Sequence, residues 1–118
     1  MDVLFYKTLH VLGVVLLFTA LGGAAAQALG AGSPRLRKLA GITHGVALLI
    51  LLVSGFGALA KLGFGMPPGW AWGKIVIWLA LGGIVVLMRR LPQHASLWWW
   101  LAPILGLLAG YLALYKPF

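Results

Sequence analysis

Cysteine is absent from the sequence. That excludes disulfides, CxxC redox motifs, c-type haem attachment and thiolate metal sites. Acidic residues are almost absent too: Asp2 is the single carboxylate side chain, against nine lysines and arginines. No apolar segment therefore contains a carboxylate to act as general acid or base or to hold a metal ion, and hydrolytic and phosphoryl-transfer chemistry are set aside. There is no glycine-rich phosphate loop ending in Lys-Ser or Lys-Thr, and no strand-like alternation of polar and apolar residues. Only 8% of residues are charged, where soluble proteins carry roughly 25%.

What the chain has instead is apolar length. It is 63% hydrophobic over 118 residues, more apolar surface than a soluble core of that size can enclose, so its solvent is lipid. Four apolar segments run from Val3 to Leu29, Leu39 to Leu62, Trp70 to Met88 and Leu97 to Tyr115. Each meets the ~17–25 residues a spanning helix needs, and helices satisfy their own backbone as lipid demands. The expected fold is all-α and integral to the membrane: one domain, residues 1–118, a bundle of four transmembrane helices. Ala24-Ala25-Ala26-Gln27-Ala28 has the small residues of a signal-peptide cleavage site. Asp2 and the lack of an early basic cluster do not suit a secretory n-region, so the first segment is read as a retained helix.

The connections Gly30–Lys38 and Arg89–His94 are basic, whereas Gly63–Gly69 carries no charge. The positive-inside rule puts the two basic connections in the cytoplasm. Both termini and the Met66-Pro67-Pro68 loop then face outward, the periplasmic side of a bacterial inner membrane. Lys7, Lys61, Lys74 and Lys116 run against this assignment, although three of them sit within helix ends. The net charge of +8 reads as topology and as contact with anionic headgroups in the lipid bilayer. No basic run with interleaved aromatics points to nucleic acid. Phe5, Tyr6, Phe64, Trp70, Trp72, Tyr115 and Phe118 form an outer aromatic belt, and Trp98, Trp99 and Trp100 an inner one.

Glycine is frequent, with 17 residues. Gly41-xxx-Gly45, Gly69-xxx-Gly73 and Gly106-xxx-Gly110 are small-xxx-small patterns that let membrane helices approach closely, within the chain, in a homo-oligomer or against a partner membrane protein. On the second helix, Gly41, His44, Leu48, Leu51 and Gly55 make one stripe, expected to face the bundle.

Ionisable groups inside membrane segments are functional hypotheses by default. Lys7 and His10 are three residues apart on the first helix, hence neighbours on its surface. His44 is the other histidine within a membrane segment, and His94 falls in a cytoplasmic connection. At ~1.5 Å per residue, His10 lies ~10 Å below the outer surface and His44 ~8 Å above the inner one, so a single haem clamped by both is disfavoured. Lys7, His10, Lys61 and Lys74 gather at one depth with no acid beside them except Asp2. Such a cluster suits an anion, and a planar apolar ligand with carboxylates, a haem or another porphyrin, would satisfy it. For Lys7 and Lys74, and still more for Lys61, the competing expectation is snorkelling to the headgroups. The candidate cofactor-binding set is His10, Lys7, Lys74 and His44, with His10 the metal ligand; no catalytic residue is assigned.

Lys7-Thr8-Leu9-His10-Val11-Leu12-Gly13-Val14 resembles the first helix of a group of small membrane proteins: the HemJ-type protoporphyrinogen oxidases, the SirB-type proteins and the CopD-like copper-resistance domain. His44-Gly45 with Val53-Ser54-Gly55-Phe56-Gly57 resembles their second helix, and Gly69-Trp70 with Gly73-Lys74 their third. The resemblance implies a four-helix membrane fold with haem or porphyrin near the first-helix histidine, His10 as ligand and Lys74 as supporting cation. The expected function is haem or porphyrin binding for redox or haem-related chemistry. The alternatives are a non-catalytic scaffold or accessory subunit of a larger membrane complex, and copper or other metal-ion handling, for which the soft donors are Met1, Met66 and Met88.

Overall fold

A computed structural model describes residues 2–30 and 32–117. The chain is an all-α bundle of four helices, α1 (Val3–Ala28), α2 (Pro34–Lys61), α3 (Gly69–Arg90) and α4 (Ala95–Tyr115), with a short 3-10 turn at Pro92–His94 before the last. All four are long and apolar enough to cross a membrane. The chain reverses at each connection. Both chain ends therefore lie at one end of the bundle, here the terminal end, and the α1–α2 and α3–α4 connections at the other, the connecting end.

Local chemistry sets the helix limits. The Asp2 carboxylate accepts from the Phe5 N–H at 2.9 Å, capping α1 with a negative charge where the helix dipole favours one. Ser33 Oγ accepts from the Leu36 N–H at 3.2 Å and Pro34 follows in the first turn, the usual residues for a helix start. α2 consequently begins five residues before the Leu39 expected from hydropathy, and Arg35, Arg37 and Lys38 belong to its first turns rather than to a loop. At the far end of α2, Gly63 N–H reaches the Ala60 carbonyl and Phe64 N–H the Leu59 carbonyl, with Gly63 at φ +86°. This is a Schellman stop, which needs a residue free to adopt the left-handed region. Arg89 and Arg90 close α3, where positive charge offsets the dipole. Pro103 lies inside α4; it cannot donate to the Trp99 carbonyl, a loss membrane helices tolerate.

The helices pack along seams with steps of three and four residues. On α2 the buried positions are Ala40, His44, Ala47, Leu51 and Ser54. On α1 the seam runs through Gly13, Leu17, Ala20 and Ala24, and on α3 through Ile77, Leu81, Ile84 and Met88. That spacing belongs to left-handed, coiled-coil-like packing. The α1–α2 register is read from direct contacts: Tyr6 on Gly57, Gly13 on Leu51 and Gly23 on Ala40, with His10 bonded to Ser54. α3 and α4 form the second close pair, and α2 approaches α3 more loosely. Phe18 of α1 rests on Gly106 of α4, where an added Cβ would stand 2.6 Å from the ring.

Candidate functional site

The seams of three helices each carry one polar residue near the terminal end. His10 is one step before Gly13 on the α1 seam, Ser54 ends the α2 seam, and Lys74 is one step before Ile77 on the α3 seam. His10 Nδ1 and Ser54 Oγ are 2.8 Å apart, and Ser54 Oγ–H donates to the Leu51 carbonyl at 3.3 Å. A hydroxyl has one proton. With that proton on the carbonyl, Oγ accepts from Nδ1–H, and the lone pair of the imidazole is on Nε2. Among the described residues Nε2 has no hydrogen-bond partner, and the His10 side chain is half-buried.

Lys74 is the charged side chain whose field acts on the His10 ring. Lys116, at the end of α4, acts in turn on Lys74, and its Nζ sits 5.2 Å from the centroid of the Trp70 ring. Asp2 is engaged in capping α1, and no other carboxylate side chain exists. Among the described residues, the imidazole and its cations thus have no carboxylate side chain beside them. Gly55 provides the surface on which the His10 ring lies, 3.6 Å from where its Cβ would stand.

The other expected site residues are placed differently. Lys7 is exposed: the seam step before His10 is Tyr6, so the residue three back from His10 falls on the flank. Lys61 and His94 are exposed as well. His44 is buried, and its Nε2–H donates to the Leu81 carbonyl of α3 at 3.2 Å. One turn away, Trp78 Nε1–H of α3 donates to the Leu48 carbonyl of α2 at 3.1 Å. These reciprocal bonds join two helices whose backbones stay apart. His44 and Ser54 are ten residues apart on α2, ~15 Å along its axis, so the two membrane histidines occupy different levels.

Among the described residues no three His, Cys, Asp or Glu side chains come together. Met88 is buried near the connecting end and Met66 is exposed in the opposite loop, while Met1 lies outside the described residues. Of the small-residue patterns, Gly106 makes a close contact but Gly45 and Gly110 have nothing within 4 Å of a built Cβ. Neither of two hollows in the bundle surface is lined by His10. One of about 200 Å³ is apolar, between Phe18, Leu21, Met88, Trp99 and Pro103; the other is a basic groove at the connecting end.

No protein-family model matches the chain, and comparison with curated proteins and with solved structures finds no match.

Ser54 is the site residue that sequence reasoning did not single out. The available signal was its place in the series Ala40, His44, Ala47, Leu51, Ser54, which puts a hydroxyl on the same seam as the buried histidine.

Proposed function

We propose that this integral membrane bundle binds haem or another porphyrin at its terminal end, in the service of redox or haem-related chemistry. The observation that carries the reading is the His10 imidazole, its Nδ1 2.8 Å from Ser54 Oγ, at the end of the bundle where Lys74 is half-buried and no carboxylate side chain other than the capping Asp2 is present. This donor set fits the group. Neutral imidazole is a good iron ligand, a hydrogen bond on the second ring nitrogen orients such a ligand and raises its basicity, and a half-buried ammonium favours an acidic partner. His10 Nε2 would ligate, Ser54 would orient the ring, and Lys74 would pair with a ligand carboxylate. Haem bound there would supply one-electron chemistry. The resemblance to HemJ-type proteins points the same way and rests on the short runs around His10, Ser54 and Lys74. The proposed setting is a bacterial inner membrane with both termini periplasmic.

The test is absorbance of the purified protein after expression with haem supplied. A Soret band that His10→Ala removes supports the reading, and a colourless wild-type protein overturns it. The alternative is a non-catalytic scaffold or accessory subunit, favoured by Gly45 and Gly110, which face out of the bundle with open space above them, where a partner helix could approach. A colourless protein that co-purifies with a second membrane protein, and loses it on Gly110→Leu, would establish that alternative. Copper handling has no specific observation in its favour.

A further inference from the structure

The chain's only carboxylate side chain caps α1 at the terminal end, so the cations at the connecting end have no side-chain counter-ion. Three of them converge. Arg37 and Lys38 from α2 and Arg89 from α3 line an open groove of about 440 Å³, together with Pro34, Gly41 and Ile42. Arg89 is seated rather than splayed into solvent. Its Nη2–H donates to the Arg37 carbonyl at 3.2 Å, and a Cβ on Gly41 would stand 2.9 Å from Nη2. Gly41 therefore makes room for a guanidinium, not for another helix. The planar fork has five donors, and one is used on the carbonyl. Gly41 and Ile42 lie one turn further into the bundle than Arg37 and Lys38, ~6 Å along the axis. Arg89 covers Gly41, so the exposed Ile42 is the apolar side chain left open beside the three cations.

We infer that this groove binds an anionic phospholipid, its phosphate between Arg37, Lys38 and Arg89 and its first acyl carbons on Ile42. The location favours a lipid: the groove lies where two spanning helices meet the headgroup layer. Its polarity does too, since a free phosphate ion has no use for the exposed Ile42. Arg35 and Arg90 are neighbouring exposed cations that do not line the groove, and Arg90 separates a built site from general attraction to a negative membrane. The site is at the opposite end of the bundle from His10 and does not depend on porphyrin binding.

The experiment is native mass spectrometry of the full chain, delipidated in neutral detergent and titrated with phosphatidylglycerol or phosphatidylcholine. Phosphatidylglycerol is expected to bind first and in a single copy. Arg89→Ala and Lys38→Gln should each weaken it about fivefold, the factor for one cation near an anionic headgroup, and Arg90→Ala should leave it within about twofold. Gly41→Leu, which fills the seat of Arg89 without altering charge, should weaken it as Arg89→Ala does. Should Arg89→Ala fail to fold, Lys38→Gln and Gly41→Leu carry the same comparison. Equal losses in the groove variants and Arg90→Ala would overturn the site in favour of diffuse attraction. Equal binding of phosphatidylcholine, or displacement of the lipid by inorganic phosphate, would overturn it as well.

Discussion

At the scale of single residues, two membrane histidines have opposite employment. His44 spends its one N–H on the Leu81 carbonyl, which is what polar side chains commonly do between membrane helices. His10 pairs its Nδ1 with the Ser54 hydroxyl instead. If porphyrin binds at the terminal end, His10→Ala abolishes the pigment, while His44→Ala retains it and lowers stability by on the order of 1 kcal/mol. Absorbance and thermal unfolding of the purified variants separate the two effects, and equal pigment loss in both would mean that they share one iron. Ser54→Ala should keep some pigment but weaken haem affinity by roughly 10–100-fold, the usual effect of losing a partner behind a metal ligand; an unchanged titration would remove Ser54 from the site. His10 and Lys74 could be seen in the sequence because ionisable groups stand out in apolar runs. Ser54 could not, since one hydroxyl in a membrane helix is ordinary and its importance depends on the α1–α2 register. Lys7 is exposed on the flank of α1, because neighbours on a helix surface need not share its buried seam.

At the scale of elements, hydropathy located four helices but not their polar ends. α2 begins at Pro34 because Ser33 caps it, and a count of apolar residues cannot register a cap. Glycine spacing was equally ambiguous. The same small-xxx-small pattern admits Phe18 at Gly106, a guanidinium at Gly41 and nothing at Gly45 or Gly110. Only the packed structure distinguishes these uses, because each depends on what the other helix presents. Gly57, outside those patterns, proves tighter than any of them, since an added Cβ would overlap the Tyr6 ring. Gly57→Leu should therefore cost ~1–3 kcal/mol by overpacking, measured as a lower unfolding temperature in detergent. Gly45→Leu should leave that temperature unchanged. Equal effects would place the α1–α2 contact elsewhere than Tyr6 on Gly57.

At the scale of the whole molecule, charge decides which way the bundle stands. The connecting end carries Arg35, Arg37, Lys38, Arg89 and Arg90, and the terminal end carries Lys7, Lys61, Lys74, Lys116 and Asp2. Counted as lysines and arginines, as the rule requires, the ends hold five and four. Membership of a helix no longer separates them, because the basic residues of the connecting end also belong to α2 and α3. What shifts the balance is presentation. All five cations of the connecting end are exposed, as are Lys7, Lys61 and Lys116 at the terminal end, whereas Lys74 is half-buried, which leaves five exposed cations against three. A cation sequestered among helices is a poor topogenic signal, since retention acts on charges free to meet anionic headgroups. The connecting end is accordingly expected in the cytoplasm. Cysteine is absent from the chain, so single replacements give a clean readout. Ser33→Cys and Gln93→Cys should resist a membrane-impermeant maleimide applied to intact cells and react after lysis. Met66→Cys, in the exposed loop at the terminal end, should react in both. The reverse pattern would turn the bundle over, putting the His10 site on the cytoplasmic side and the basic groove outside.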